Sequence, residues 1–334
     1  MWAYRLDGPL RFVRDEISPP QESDLELGEV IVRFRAGGIC GSDIPRCRDG
    51  AGRPGPEVYG LSLHEIVGEV VATRSDLEVG QRVVGWESRS RGLCEYVRTS
   101  ACELLAIDLD LDDVHTVALQ PLACVVYALT RVPSIEGVRA AVIGLGPIGL
   151  LFAHALKDAG AATVVGVDRV DRRALGPTFG LDHVEFMTSR TWSGRSDAGD
   201  AFDLVIEAVG HQVQTLEDAI RVAAPEGWVV HFGNTESDDW YPLPLGVMMD
   251  KHLTLQAGRT PIPQRREALR LALGYRERHP ELFTTYVTDV LPVSEAQIAY
   301  ERASRPAVNR LKVVLDGADR DLEPQPDADG GTDA

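Results

Sequence analysis

The chain of 334 residues is 44% hydrophobic and 25% charged, which is ordinary for globular proteins and excludes a fibrous repeat or wholesale disorder. Its net charge of −17 argues against nucleic acid and membrane surfaces as partners. Five cysteines without a CxxC pair argue against a disulfide framework and favour the reducing cytoplasm. The N-terminal residues are charged where a signal peptide needs an apolar run, and no apolar stretch of about 18 residues predicts a membrane span.

The pattern of hydrophobic residues changes near residue 107. Up to that point short β-like runs separated by Gly and Pro predict a small barrel or sandwich. The stretch VHTVALQPLACVVYALTRV then predicts a helix, and alternating strands and helices beyond it predict a parallel, doubly wound sheet. After Gly258 two helices precede a last strand, LKVVLD, which we expect to rejoin the first module. The acidic segment 317–334 has almost nothing to bury and should be disordered.

A glycine-rich turn joins a strand to a helix in the second module. The strand residues Val142 and Ile143 lead into GLGPIG, the GxGxxG pattern of dinucleotide-binding folds. Its glycines make the turn, let the backbone approach a pyrophosphate and let the helix pack on the strand. The helix N-terminus then faces the phosphates. The predicted phosphate-binding residues are Gly144, Gly146, Pro147, Ile148 and Gly149.

An acidic residue follows at the spacing expected for binding the adenosine ribose. Asp168 ends the strand ATVVGVD, 19 residues after Gly149, and its carboxylate suits the ribose hydroxyls. The same carboxylate would repel a 2′-phosphate and therefore favours NAD. Arg169 keeps NADP open, because an Arg just past the strand can pair with a 2′-phosphate. Arg173 can do the same or flank the adenosine.

A second cluster of reactive residues lies in the first module. Cys40 in GICGSD and His64 in LSLHE offer a thiolate and an imidazole, which are good zinc ligands. Glu65 and Asp43 can ligate a metal or support its ligands. Taken singly, a buried thiol or a core histidine is the more common role, but the two together favour a metal site. The other cysteines are interpreted as ordinary thiols.

In this order GICGSD, HEIVGEV, GLGPIG and VGVD resemble the medium-chain zinc-dependent alcohol and polyol dehydrogenases. The resemblance covers nearly the whole chain apart from the acidic tail. It implies an α/β protein in which a GroES-like, β-rich catalytic domain, residues 1–122 and 258–316, carries an inserted Rossmann domain, residues 123–257. The active site would lie in the cleft between the domains, and the protein would be a homodimer or homotetramer.

The resemblance also implies one catalytic zinc. Its first two ligands fall on Cys40 and His64, with Glu65 beside the metal and Asp43 holding the far ring nitrogen of His64. The family's third protein ligand falls on Gln120, whose amide oxygen is a weaker ligand than a carboxylate. Zinc of this kind lowers the pKa of the substrate hydroxyl before hydride transfer to the nicotinamide.

Three departures from the family pattern have physical consequences. The lobe with four cysteines is missing, so we expect no structural zinc. Leu63 replaces the Gly that usually precedes the metal histidine. Pro45 replaces the histidine of the proton relay, so we expect the proton of the substrate hydroxyl to leave through Ser42 and water.

Several further residues are assigned by position or resemblance. Lys312 aligns with a basic position near the cofactor, Arg259 resembles a substrate-side Arg, and Arg46 resembles a position of hexitol-phosphate dehydrogenases. A salt bridge is an equal alternative for Arg259, and a solvated loop position is an alternative for Arg46. Ligands gather at the carboxyl ends of parallel strands, which predicts a nicotinamide side lined by Ala208, Val209 and Gly233.

These motifs predict an enzyme that transfers a hydride between NAD(H) and a secondary alcohol or ketone. The expected substrate is a small polyhydroxy compound, namely a sugar, a polyol or a cyclitol, with a phosphorylated polyol admitted by Arg46. Two alternatives remain open. One is a zinc-free, NADPH-dependent enone or quinone reductase of the same superfamily. The other is a non-catalytic dinucleotide-binding protein, which Pro45, Leu63 and Gln120 bring into consideration.

Overall fold

Two sheets and a hairpin organise the protein. The computed structural model describes residues 1–49, 58–108, 110–195, 201–235 and 240–318. The strands are β1 (Trp2–Leu6), β2 (Phe12–Glu16), β3 (Glu29–Ile39), β4 (Glu65–Thr73), β5 (Arg82–Trp86), β6 (Tyr96–Ser100), β7 (Leu104–Ala106), β8 (Arg139–Ile143), β9 (Thr163–Asp168), β10 (His183–Phe186), β11 (Phe202–Glu207), β12 (Ala223–His231), β13 (Thr254–Ala257), β14 (Val287–Pro292) and β15 (Lys312–Asp316). The helices are α1 (Asp43–Asp49), α2 (Asp113–Thr116), α3 (Leu119–Leu129), α4 (Pro147–Asp158), α5 (Ser189–Ser193), α6 (Val213–Val222), α7 (Leu245–Asp250), α8 (Arg265–Arg278), α9 (Leu282–Tyr286) and α10 (Ala296–Ala303).

The second module contains the predicted parallel sheet. Its strand order is β10-β9-β8-β11-β12-β13, and each neighbouring pair runs parallel. Successive side chains of β8 enter opposite cores. Val142 packs in the cluster that contains Phe152 of α4, whereas Ile143 packs in the cluster that contains Ile220 of α6. Helices therefore cover both faces of the sheet, which confirms the predicted doubly wound domain.

The first module is built around a largely antiparallel sheet of order β14-β15-β3-β4-β5-β7, with β6 also paired to β3. The last strand, β15, runs antiparallel to β3, with Val313 opposite Ile39. The prediction that LKVVLD rejoins the first module is thus confirmed. On its other side β15 pairs in parallel with β14, which is an outer strand of this sheet.

The stretch predicted as a single helix forms two helices, α2 and α3. Pro121 lies in the first turn of α3, where its lack of an N–H group is tolerated, and it cannot donate a hydrogen bond back to residue 117. The helix α3 crosses the predicted domain boundary at 122/123, and β13 ends one residue before the predicted return to the catalytic domain. Apart from 317 and 318, the predicted disordered tail lies outside the described residues. In the described part of the chain, no helix has the length and apolarity needed to cross a membrane.

Two glycines of the GLGPIG turn lead to opposite expectations for folding stability. A Cβ at Gly149 would overlap the carbonyl oxygen of Gly144 and would lie 3.3 Å from Cγ1 of Val142, whereas a Cβ at Gly146 would meet no atom within 4 Å. We expect Gly149→Ala to lower the free energy of unfolding by about 1–3 kcal/mol, because it overpacks the contact between helix and strand. Gly146→Ala should change it by less than about 0.5 kcal/mol. Urea unfolding measures both, and equal stability of the two variants would contradict the packing role of Gly149.

Candidate active site

Neighbouring strands of the first sheet meet at one edge, and the predicted metal ligands lie there. Cys40 directly follows β3, and Glu65 opens β4 opposite Gly38 of β3. Trp86, the last residue of β5, pairs with Glu65 on its other side. The register of the sheet therefore brings together residues that are far apart in the sequence.

The structure brings three predicted metal ligands into one group. Ligand atoms of Cys40, His64 and Glu65 all lie within 4.8 Å of one another. Glu65 is buried, while Cys40 and His64 are partly exposed and can be reached from outside. Among the described residues, no other group of three or more Cys, His, Asp or Glu side chains has the spacing of a metal site. A thiolate, an imidazole and a carboxylate form a donor set that suits zinc.

Asp43 holds this group in place. Its buried carboxylate accepts hydrogen bonds from the Cys40 N–H at 2.9 Å and the Ser62 hydroxyl at 2.8 Å, and it lies 3.0 Å from Nδ1 of His64. Burial lowers the pKa of His64, but the charges and hydrogen bonds of Asp43 and Cys40 together raise it well above the ordinary range. With Nδ1 held by Asp43, Nε2 of His64 is the nitrogen left for a metal, and a bound metal must displace the proton.

Lys312 occupies a place different from the predicted one. We predicted it beside the cofactor, but its Nζ donates to Oε1 of Glu65 at 2.6 Å and to the carbonyl of Ile39 at 3.1 Å. Lys312 and Glu65 are both buried. The residues on either side of Lys312, Leu311 and Val313, line a cleft that the glycine turn also lines. The register of β15 against β3 produces this difference, since it turns Lys312 toward the metal ligands.

Gln120 is buried in α3, one helical turn before Cys124. Its Nε2 lies 3.7 Å from Sγ of Cys124. Burial, together with the nearby negative groups Cys40 and Glu65, raises the pKa of the Cys124 thiol to about 12. Cys124, which we interpreted as an ordinary thiol, therefore lies beside the metal ligands. The sequence signal for this was the spacing of four residues from Gln120 on one helix face.

The glycine-rich turn has the geometry expected of a dinucleotide site. Gly144 has a φ of +92°, and Gly146 caps the N-terminus of α4 with open space around its Cα. The Asp168 carboxylate accepts the N–H groups of Leu145 at 2.6 Å and Val170 at 2.7 Å. Asp168 is thereby fixed beside the turn, and Gly146 leaves the space that a pyrophosphate needs.

A cleft of about 390 Å³ extends from the glycine turn to Cys40 of the metal-ligand group, and this volume is in the usual range for small-molecule sites. Cys40 and Gly41 line it from the first module, and the turn and β9 line it from the second. The predicted cofactor residues on its wall are Gly144, Gly146, Pro147, Asp168, Arg169, Ala208 and Val209.

Other predicted cofactor residues lie away from this wall. Arg173 is exposed, bonds to Asp171 and lies over the ring of Phe186. Gly233 donates its N–H to the carbonyl of Glu207 at 2.9 Å. Ile148 and Gly149 belong to the first turn of α4, behind the residues that face the cleft.

Three arginines on the cleft wall were missed by sequence reasoning: Arg172, Arg305 and Arg310. Arg172 is only 3% exposed, and its Nη1 donates to the carbonyls of Ala307 at 2.8 Å and Val308 at 2.6 Å. It therefore connects the loop after β9 to the loop before β15. Only its place next to Arg173 gave a hint in the sequence.

The residues assigned to substrate and relay roles lie around the same region. Ser42 is partly exposed between Gly41 of the cleft and Asp43. Arg259 is exposed, and its Nη2 donates to Oδ1 of Asn234 at 3.4 Å and to the carbonyl of Thr235 at 3.3 Å. Arg46 is exposed and bonds to Ser90.

Comparisons with known proteins agree with this geometry. The family described as "Alcohol dehydrogenase GroES-like domain" matches residues 26–118, and the "Zinc-binding dehydrogenase" family matches residues 147–272. D-altritol 5-dehydrogenase of Agrobacterium fabrum is 30% identical over 88% of this chain and 94% of its own length. L-idonate 5-dehydrogenase (NAD(P)(+)) of Escherichia coli is 26% identical over 64% of this chain and 72% of its own length.

The fold is also shared with a solved structure, that of the alcohol dehydrogenase TADH from Thermus sp. ATN1. The two superpose with a TM-score of 0.76 at 24% identity, over 95% of this chain and 99% of the other. Sequence and structure thus agree over nearly the whole chain, and the glycine turn and the donor group lie inside the matched regions or directly beside them. The chain therefore belongs to the zinc-type medium-chain alcohol and polyol dehydrogenases.

Proposed function

We propose that this protein is a zinc- and NAD(H)-dependent dehydrogenase that transfers a hydride between the nicotinamide and a secondary alcohol or ketone. The observation that carries the proposal is the position of Cys40, which belongs both to the metal-ligand group and to the wall of the dinucleotide cleft. A metal held there lies next to the cofactor, which hydride transfer between substrate and nicotinamide requires.

The donor set fits zinc, and Cys40 and His64 would hold the ion with Glu65 close to it. When bound, zinc supplies Lewis-acid polarisation of a substrate oxygen. The side chains orient the ligands of the ion and set the charge around it. Asp43 orients His64, and the buried Gln120 offers a neutral amide near the same group. Both families matched by the chain, and the intact donor group, favour this zinc-dependent enzyme over the zinc-free reductase.

We assign the proton step to Ser42. Ser42 is partly exposed and lies in the chain between Gly41 of the cleft and the buried Asp43, and its hydroxyl can accept the proton of a substrate hydroxyl and pass it to water. Pro45 has no side-chain group that carries a proton, so the proposed proton relay consists of Ser42 and water alone. Asp43 is engaged by three hydrogen-bond partners and acts by positioning.

We propose a polyhydroxy substrate, because relatives that match most of this chain are named for altritol and idonate. Arg259 supports this assignment, since it lies at the loop that follows β12 at the carboxyl edge of the parallel sheet. Arg46 is exposed and bonded to Ser90, and it gives no support to a phosphorylated substrate.

Zinc content and polyol oxidation test this function together. We expect about one zinc per chain and NADH formation with sugar alcohols, and we expect His64→Ala to lose both, because the imidazole is a ligand. Elemental analysis and absorbance of NADH measure the two properties. Cys102→Ser, which changes an exposed cysteine outside the group, is the control and should keep both. A wild-type protein without zinc, or a His64→Ala protein with full zinc, would contradict the proposal. NADH binding without turnover of any alcohol would favour a non-catalytic protein.

We propose NAD as the cofactor because of the Asp168 carboxylate. It ends β9 on the cleft wall and accepts two backbone N–H groups, so it is fixed where a ribose is expected. A carboxylate there repels the dianionic 2′-phosphate of NADP. Arg169 and Arg172, also on the wall, act in the opposite direction.

Binding of the two reduced cofactors to an Asp168 variant tests the preference. We expect the wild type to prefer NADH and Asp168→Asn to move the ratio of Kd values toward NADPH by about tenfold or more, because the variant removes a charge repulsion worth several kcal/mol. Fluorescence titration measures both constants. Asp171→Asn is the control, since Asp171 is paired with Arg173 away from the cleft wall. Preference of the wild type for NADPH would overturn the assignment.

We propose that a second copy of the chain covers the β13 edge of the parallel sheet. β13 is an outer strand, and the helix α7 and the residues before it expose large apolar side chains near it, with Met249 74% and Trp240 93% exposed. An open edge strand flanked by apolar side chains favours pairing with another chain.

Sedimentation of a surface variant tests this interface. We expect the wild type to be a dimer or tetramer, and we expect Met249→Arg to shift it to smaller species because a charge is buried on association. Leu27→Arg is the matched control, since Leu27 is 83% exposed but lies in the other module. A monomeric wild type would refute the interface.

We also assign the protein to the cytoplasm. The five cysteines contain no CxxC pair, and cysteine usage of this kind favours a reducing compartment.

A further inference from the structure

Tyr286 has a buried hydroxyl group that no contact within the described residues satisfies. It is the last residue of α9, and its side chain has no exposed surface. Its ring packs in the core cluster that also contains Trp86 and Leu122, and its hydroxyl has no hydrogen-bond partner in the described chain. Buried hydroxyl groups are nearly always paired, so this one needs an explanation.

The strand register places Tyr286 at the edge where the metal ligands lie. The next residue, Val287, opens β14 opposite Lys312 of β15, and Nζ of Lys312 binds Glu65. β15 in turn pairs with β3, which ends just before Cys40. The end of α9 is therefore the next segment along the same edge.

The charges that act on the phenol support this placement near the metal ligands. Burial raises the pKa of Tyr286 well above its ordinary value, and the negative groups Glu65, Cys40 and Cys124 raise it further, in that order. A phenol with such a pKa keeps its proton and remains a hydrogen-bond donor near neutral pH.

An acceptor at the same edge is also left without a hydrogen bond. Oε2 of Glu65 is buried and lies 2.5 Å from Nζ of Lys312, an ion-pair contact, but no donor bonds to it with hydrogen-bond geometry. Oε1 takes the hydrogen bond from Lys312 instead. A buried donor without a hydrogen-bond partner and a buried oxygen that accepts no hydrogen bond are thus both present at the edge of the sheet where the metal ligands lie.

We propose that Tyr286 is a positioning residue of the metal site, whose hydroxyl donates a hydrogen bond to Oε2 of Glu65 in the zinc-loaded protein. The proposal rests on the metal site of the proposed function. Lys312 and Tyr286 then hold the two oxygens of one carboxylate and fix its orientation toward Cys40 and His64. Groups that orient metal ligands in this way typically change metal affinity when removed.

Tyr286→Phe is the direct test, because it removes the hydroxyl and keeps the ring. We expect zinc to bind about 10–100-fold more weakly, measured by competition with a chelator, and we expect the charge-transfer bands of the cobalt-substituted protein to shift. The control is Tyr275→Phe, which removes a buried hydroxyl bonded to His154 at 2.6 Å, outside the ligand group, and should leave zinc affinity unchanged.

A second variant identifies the acceptor. If the hydroxyl acts through Glu65, Tyr286→Phe should have no further effect on zinc affinity in the Glu65→Gln background. Additive losses in the double variant would overturn the assignment to Glu65. In the zinc-free protein Tyr286→Phe should be at least as stable to urea as the wild type, since the hydroxyl has no partner there.

The outcomes separate this proposal from the proposed function. Suppose that the wild type binds zinc, His64→Ala loses it and Tyr286→Phe binds it with unchanged affinity. This result would overturn the role of Tyr286 and would leave the proposed metal site intact. A wild-type protein that binds no zinc would overturn both. A zinc-free Tyr286→Phe protein less stable than the wild type would show that the hydroxyl already serves the fold, which also overturns the proposal.

Discussion

The antiparallel pairing of β15 with β3 is the constraint on which the active site depends. It brings Lys312 to the edge where Cys40 and Glu65 lie, and the pairing of β14 with β15 brings Tyr286, the residue before β14, to the same edge. Such long-range pairing costs loop-closure entropy, which grows only slowly with loop length. Burial of Val314 and other apolar side chains of β15 offsets this cost. Without this pairing the metal ligands would lose both Lys312 and the wall that closes the cofactor cleft.

The same pairing joins the metal group to the cofactor cleft. Ile39 of β3 and Val313 of β15 are register partners, and both line the cleft wall. Cys40 follows directly and faces both regions. Arg172 adds a second connection, because it reaches from the parallel sheet to the loop before β15. In a chain with a net charge of −17, the arginines on this wall place positive charge beside the cleft, as the pyrophosphate of the proposed cofactor would require.

Local patterns were sufficient to predict the doubly wound sheet, the glycine turn and the return of the last strand, because each depends on residues close in sequence or on a simple hydrophobic run. The grouping of Cys40 with His64 and Glu65 was likewise predictable from their motifs. Lys312 was placed wrongly, and Tyr286 and Cys124 were overlooked, because their neighbours are set by strand register and helix packing. Arg172 was missed for the same reason, since its partners Ala307 and Val308 lie in a loop far along the chain.

The position of Gln120 gains meaning from the charges around it. In the proposed zinc site, Cys40 as a thiolate and Glu65 as a carboxylate would supply two negative charges, and Lys312, which forms an ion pair with Glu65, would cancel one of them. A divalent cation held there keeps a net positive charge, because neutral Gln120 adds none, whereas a carboxylate at position 120 would cancel it. Positive charge at the ligand group favours a substrate oxygen that becomes negative during the reaction, and burial strengthens this effect. In the proposed zinc site, a neutral amide at position 120 would bind the metal more weakly than a carboxylate and would leave more of the cation's charge to act on the substrate.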